Sequence, residues 1–401
     1  MRYVGRRMAG LIIASKARIF HGHDWVYGTE VRGVYGNPAP GDVVSLKDPR
    51  DRFLGSAIYN PQSQIVARRF SRRKQTLDAD FFTRRISQAA QQRERWLPGE
   101  TLTRLVWSES DGLPGLIVDR YGDALVVQTL TLAMMQRIET ICEVLRDLFH
   151  PVCILLRNDS PMLVAEGIEP SVSVVHGEMP APFVAVGRGT RFLVDLAVGQ
   201  KTGLYLDQMD NYQAVAALAK GRRVLDCFCN QGGFALACAK AGAASVTAVD
   251  ISDAAIESVR RNAELNEVQV ETYVANVFDF LKLESDRVRN GGEPKWDLII
   301  LDPPSFTRNR KSLSGAQRGY KEIHLRAMQM LPVGGVLSTF CCSHHISSPL
   351  FRQVIADAAV DGHCTLRLTA THGQSPDHPI LLNIPETEYL KGYSFEMVPG
   401  R

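Results

Sequence analysis

Two cysteines stand side by side in "STFCCSHH" (338–345), at the end of an apolar run. Adjacent Cα atoms lie about 3.8 Å apart, below the separation that disulfides favour. Cys341 and Cys342 are therefore not expected to bridge each other. In an extended strand, neighbouring side chains face opposite sides, so one thiol can pack into a core while the other meets a crevice. The other six cysteines are scattered, and beside Cys227 and Cys229 no second pair sits at zinc-ligand spacing. They read as reduced, buried, small hydrophobes of a cytoplasmic protein. No metal is expected, and His344 and His345 lack a third ligand nearby.

Four further clusters fall where strands should end. "VLDCFCNQGGFA" (224–235) closes a strand at Asp226, and Gly232-Gly233 permit close backbone approach before the next helix. It is not the G-x-G-x-x-G fingerprint, which disfavours a pyrophosphate cofactor. "AVDIS" (248–252) puts Asp250 about 20 positions past those glycines, where a ribose is gripped through its hydroxyls. "VANVF" (274–278) brings Asn276 to an adenine edge, and the rigid Asp302-Pro303-Pro304 turn of "LDPPSF" fixes a carboxylate that can meet a nucleobase nitrogen. Together they fit an adenosine ligand without phosphates, S-adenosylmethionine.

These positions need a parallel sheet to bring them to one edge. From about residue 190, apolar runs alternate with helical patterns: "RRVLDCF", a helix from 233, "SVTAVDIS", a helix at 253–266, "VETYVAN", "WDLIILDPP", a helix at 317–331 and "GGVLSTFCC". Upstream, "GLIIAS", "GDVVSLKD" and "FLGSAIYN", punctuated by Gly and Pro, predict a small β-barrel over 1–75. A compact α+β unit follows over 76–187, and the methyl-donor domain occupies 188–401.

At 401 residues the chain exceeds a single core, and 45% hydrophobic with 22% charged residues is ordinary globular composition. No apolar run reaches the roughly 18–20 residues of a membrane helix, and a weak likeness of the N-terminus to a signal peptide lacks a cleavage pattern. The net charge of +3 is unevenly spread. Residues 1–75 hold 14 Lys and Arg against 5 Asp and Glu, and the rest hold 32 against 38. A basic module on an acidic body implies a polyanionic partner. "ARRFSRRK" (67–74) is its densest stretch, and Lys16, Arg18 and Trp25 offer cations and an aromatic to such a partner, with Trp25 equally suited to a core.

The sequence resembles bacterial large-subunit (23S) ribosomal RNA cytosine-5 methyltransferases with an N-terminal PUA domain. The resemblance covers essentially the whole chain and rests on "FLVDLAVGQKTGLYLDQMDN" (192–211), "VLDCFCNQGGFA", "DPPSF", "RGYKEIH" (318–324), "FCCSHH" and "DHPILLNIPETEYLKGY" (377–393). It implies an α/β fold: a class I, Rossmann-like methyltransferase domain with a parallel-rich sheet, preceded by a PUA β-barrel and a small α+β (EEHEE-type) domain.

By position, the resemblance implies that Gln200, Lys201, Thr202, Tyr205, Asp207 and Gln208 wall the cofactor site. Asp226, Asp250 and Asn276 match its methionine, ribose and adenine sides. Cys227, Phe228, Asn230, Gly232, Ile251, Ser252, Val277, Phe278 and Asp302 complete the cofactor-contacting stretches. Cys342 matches the nucleophile and Asp302 the active-site acid. Cys341 occupies a Ser position, and Asn276 stands where Asp is usual. "DPPS" lacks the second cysteine that some RNA cytosine methyltransferases use to release product. Arg318 and Lys321 are expected at RNA phosphates, and family analogy implies a homodimer. Two rivals are a guanine-nitrogen RNA methyltransferase, which needs no thiol, and a non-catalytic RNA-binding or ribosome-assembly protein.

Overall fold

A computed structural model describes residues 9–197, 204–307 and 312–399. The chain forms two compact units. The first comprises residues 1–183 with Val194–Leu204 and Pro376–Thr387, and the second holds the rest. Among the described residues no helix is long and apolar enough to cross a membrane.

In the first unit, β1 (Gly10–Ile13), β2 (Trp25–Val26), β3 (Val31–Tyr35), β4 (Val43–Lys47), β5 (Phe53–Tyr59) and β6 (Ala67–Ser71) form one sheet in the order β2-β6-β5-β4-β1-β3. Alternating apolar residues close its core around Leu11, Ile13, Val26, Val44, Leu46 and Ala57. Half of the basic "ARRFSRRK" stretch is therefore strand. Arg69 is buried on Asp24 (2.6 Å), and Arg68 pairs with Glu109 (2.6 Å). The Trp25 indole also donates to Glu109 (2.9 Å) and lies under the Arg68 guanidinium. Trp25 thus buttresses the module.

Next come α1 (Ala79–Trp96), β7 (Leu102–Trp107), β8 (Leu116–Tyr121), β9 (Ala124–Thr129), α2 (Leu132–Met135), α3 (Ile138–Phe149), β10 (Cys153–Asn158) and β11 (Ser171–Gly177). The five strands form one sheet, β11-β10-β9-β8-β7. Asp78 caps α1 by accepting from the Phe81 amide (2.9 Å), and Phe82, Ile86, Ala89 and Arg93 make its buried stripe. Buried Arg93 is held by a two-pronged bond to Asp111 (2.6 and 2.8 Å) and donates to the Asp377 carbonyl (2.8 Å). The Asp377 carboxylate in turn accepts from the Arg104 amide (2.9 Å). This bonding ties the late segment Pro376–Thr387 to the first unit.

After the hairpin of β12 (Phe183–Gly187) and β13 (Thr190–Val194) come α4 (Met209–Ala216), β14 (Arg223–Cys227), α5 (Gly233–Lys240), β15 (Ser245–Asp250), α6 (Asp253–Leu265), β16 (Glu271–Val274), α7 (Val277–Arg289), β17 (Leu298–Leu301), α8 (Leu313–Met330), β18 (Val336–Cys341), α9 (Ser348–Asp361), β19 (Thr365–Gly373) and β20 (Lys391–Val398). The sheet order of the second unit is β16-β15-β14-β17-β18-β20-β19. β14 to β18 pair in parallel, and β20 runs antiparallel between β18 and β19. The strand order reverses between β14 and β17, where doubly wound sheets open a ligand crevice at their carboxyl ends. β17 and β18 are wholly buried, as strands covered on both faces must be.

Candidate active site

The crevice is built from strand-end loops of the second unit. Between β14 and α5, Phe228 (φ 63°), Asn230 (φ 47°) and Gly232 (φ 84°) all adopt left-handed backbone. Two of these are not glycine, a strain that concentrates at ligand-binding turns. Gly233 is needed for another reason: a Cβ there would lie 2.2 Å from the Tyr212 ring of α4.

Asp226 lies under this loop, fully buried. Its Oδ2 accepts from the Ala235 amide (3.0 Å), and its Oδ1 is buried without a partner. Burial, reinforced by the charges of Asp302 and Asp250, pushes this carboxyl well above the usual range. A buried acceptor of this kind is costly unless something donates to it. The ammonium of a bound amino acid would satisfy it.

Asp250 accepts from the backbone amides of Asn230 and Ser252 (3.0 Å each). Ile251 beside it is 66% exposed, an apolar surface at the rim suited to a flat base. The side chain of Ser252 caps α6 through the Ala255 amide, and that of Asn276 caps α7 through the Phe278 amide (2.9 Å). The Asn276 oxygen is thereby engaged, and its exposed amide nitrogen is the group left to meet an adenine. Phe228, Phe278 and Phe306 pack with ring centroids 5.7 to 6.5 Å apart.

The Cys227 side chain is fully buried in the core and Val277 is buried in the same cluster, so at these two positions only the backbone faces the crevice loops. Strand alternation explains Cys227, since its neighbour Asp226 takes the opposite face. Gln200, Lys201 and Thr202 lie outside the described residues.

Asp302 follows β17, partly exposed. It accepts from Gln208 Nε2 (3.0 Å), while Gln208 Oε1 accepts from Asn211 (2.6 Å). The Asn211 bond fixes which end of the buried Gln208 amide faces Asp302. The Tyr205 hydroxyl, bonded to Asn230, is pushed up to about 12 by burial and then by the charges of Asp302, Cys342 and Asp207. One phenol thus senses both the proposed acid and the proposed nucleophile. The Asp207 carboxylate accepts from the Tyr389 hydroxyl (2.7 Å), and Tyr389 packs on His344.

The paired cysteines separate. Phe340 packs on Phe234 of α5 (4.9 Å), on one face of the sheet. Cys341, fully buried, joins the core under α8 and α9 on the other. Cys342, just past the strand end, is partly exposed. None of the eight cysteines forms a disulfide.

Sequence reasoning did not single out Lys391. β20 pairs with β18 so that Lys391 lies opposite Cys341. Its ammonium, almost fully buried, donates to the carbonyls of Ser343 and Ile346 (2.6 Å each), clamping the turn that follows Cys342. Burial pulls its pKa down, against the opposing pull of Cys341 and Cys342. The available signal was a lysine inside the strand-like run "YLKGYSFEMV". His324 of "RGYKEIH" is fully buried, with its ring nitrogens on the Tyr320 carbonyl and the Thr339 hydroxyl (2.8 Å). Burial lowers its pKa to about 4, which makes it a neutral packing residue.

Of the expected RNA contacts, Arg18 lies 3.5 Å from Glu386 and stacks on Tyr27, and Lys16 is exposed. Lys321 bridges to Asp361 (2.7 Å), while Arg318 is exposed on α8.

This sheet order, the strained turn after β14 and the unsatisfied acid beneath it define a class I methyltransferase. A family model described as S-adenosylmethionine-dependent methyltransferase matches residues 169–379, and one described as PUA-like domain matches 14–72. A relative from Shewanella denitrificans named ribosomal RNA large subunit methyltransferase I is 41% identical over 92% of this chain and 94% of its own length. One of the same name from Erwinia tasmaniensis is 39% identical over 96% and 99%. The chain belongs to this ribosomal RNA large subunit methyltransferase I family and depends on S-adenosylmethionine. Among solved structures, a methyltransferase complexed with SAH shares the fold at TM-score 0.83 and 22% identity, covering 97% of this chain and 100% of that one. A Streptococcus mutans methyltransferase does so at 0.81 and 21%, with the same coverage.

Proposed function

We propose that the protein forms 5-methylcytosine in 23S ribosomal RNA through a transient bond between Cys342 and cytosine C6. The observation that carries this reading is the partly exposed thiol of Cys342 at the end of β18, beside the strand end that bears Asp302. Methylation of a guanine nitrogen would need no such thiol. The relatives' names supply the substrate class.

Cytosine C5 is too weak a nucleophile to take a methyl group unaided. The Cys342 thiolate adds to C6, and the electron pair of the C5–C6 bond becomes available at C5. S-adenosylmethionine supplies the electrophilic methyl. Asp302, oriented by Gln208, passes a proton to N3 and accepts from the exocyclic amine, neutralising the negative charge that thiolate addition places on the ring. Loss of the C5 proton to a base then re-forms the double bond and expels the thiolate. C5 chemistry requires access to the ring face, so the target base is single-stranded or flipped.

Lys391 serves this chemistry as a positioning residue. Its clamp sets the turn after Cys342, and its fixed positive charge favours the thiolate, the reactive form of a cysteine. In Lys391→Met, the pH at which iodoacetamide labels Cys342 at half its maximal rate should rise. Methyl transfer at neutral pH should fall about tenfold, the effect of one pKa unit. Lys391→Arg should restore both, and an unmoved labelling profile would remove the charge from this account.

Asp226 supports cofactor binding with a pH signature. In the free protein its raised pKa favours the protonated form, whereas pairing with an ammonium requires the carboxylate. Binding S-adenosylmethionine should therefore release a proton, and affinity should strengthen as pH rises. Calorimetry in buffers of different ionisation heat should detect this release in wild type and lose it in Asp226→Asn.

The assignment of function is tested by quantifying 5-methylcytosine in 23S rRNA from cells with and without the gene. One position should lose its mark and regain it on complementation. An unchanged 5-methylcytosine map, or loss of a methylguanine instead, would refute the reading.

A further inference from the structure

We infer that a groove in the first unit, lined by Arg72, Arg73, Arg84 and Arg85, is a binding track for the RNA phosphodiester backbone. It is an open groove of about 910 Å³ between the chain following β6, α1, the turn after β7 and the late segment at Leu381 and Asn383. The inference deepens the proposed function and rests on its reading that RNA is the substrate.

Charge accounting within the groove carries the argument. Three acids line it, and each is committed to an arginine: Asp24 to Arg69, Glu109 to Arg68 and Asp111 to Arg93, all at 2.6 Å. Arg72 and Arg73 are exposed and, like Arg84 and Arg85, form no ion pair among the described residues. Arg84 donates to the neutral Gln75 amide (3.1 Å) and Arg85 to the Phe70 carbonyl (3.5 Å). Asp78 lies within electrostatic reach of Arg84 but accepts from the Thr76 hydroxyl and the Phe81 amide. The groove therefore presents four guanidinium groups that form no ion pair, two from the linker and two from successive helix positions that crowd each other's charge, the one acid acting on Arg85 being Asp111, already paired with Arg93.

Like charges held together are unfavourable until a polyanion neutralises them, and guanidinium groups match phosphate geometry. The aromatic at this groove, Phe70, is buried, so nothing exposed there stacks on a base. The track reads backbone and contributes affinity without sequence preference. It also moves the RNA grip away from Arg18, which is engaged by Glu386.

The test is binding of a 23S rRNA fragment to the full-length protein over a range of salt. Arg72→Gln/Arg73→Gln/Arg84→Gln/Arg85→Gln should flatten the slope of log affinity against log salt by up to about 2.8, at about 0.7 per phosphate contact with single-stranded RNA. KM for RNA should rise more than tenfold, with kcat, S-adenosylmethionine affinity and melting temperature nearly unchanged. Lys16→Gln/Arg18→Gln should have the smaller effect. An unchanged slope in a folded quadruple variant that still binds RNA would overturn the groove. Failure of the wild type to bind RNA would instead overturn the substrate reading.

Discussion

Cys342→Ala should abolish methyl transfer, with a loss of at least about 10³-fold, or about 4 kcal/mol of barrier. Cys341→Ala should retain most of it. The contrast follows from one strand. Cys341 is packed under α8 and α9, so its truncation leaves a small cavity costing about 1 kcal/mol of stability. Cys342 lies past the strand end, partly exposed, and on the proposed path its removal takes away the atom that activates C5. Single-turnover transfer of labelled methyl to rRNA measures both variants. A Cys342→Ala enzyme within tenfold of wild type would mean that no thiol adduct is on the path.

Asp302→Asn should lower kcat by about 10² to 10³, the usual cost of removing one preorganised stabilising group. The substitution keeps size and much of the hydrogen bonding but removes the carboxyl group that can pass a proton to N3 as thiolate addition drives electron density onto the ring. Gln208→Leu should fall in the same direction by a smaller factor, about tenfold, because Gln208 reaches the substrate through Asp302. RNA affinity should barely change in either. If Asp302→Asn weakens RNA binding and leaves kcat intact, the carboxylate holds substrate without stabilising the transition state.

Much of the edge that lines the candidate site was legible because parallel strands are local sequence objects. Each is a short apolar run ending in a polar residue, so Asp226, Asp250 and Asp302 can be read off strand ends, and strand alternation anticipates the fate of Cys341 and Cys342. The same rule places the Cys227 side chain on the face opposite Asp226, in the core. What escaped depends on long-range pairing. Lys391 meets the turn after Cys342 because β20 inserts antiparallel beside β18, and no pattern within either strand announces that register. The return of Pro376–Thr387 to the first unit rests on Arg93 and Asp377, 284 residues apart. "ARRFSRRK" looked uniformly basic. Its first half is strand whose arginines are consumed by Asp24 and Glu109, and its second half lines a charged groove.

RNA carrying 5-fluorocytidine at the target position tests the covalent step most directly, because fluorine at C5 cannot leave as a proton does and the adduct cannot resolve. With S-adenosylmethionine present, the protein should form a complex stable to denaturation, and mass spectrometry of its peptides should locate the methylated nucleotide on Cys342. Normal methylation of unsubstituted RNA without any such complex, or a complex through another residue, would contradict the account.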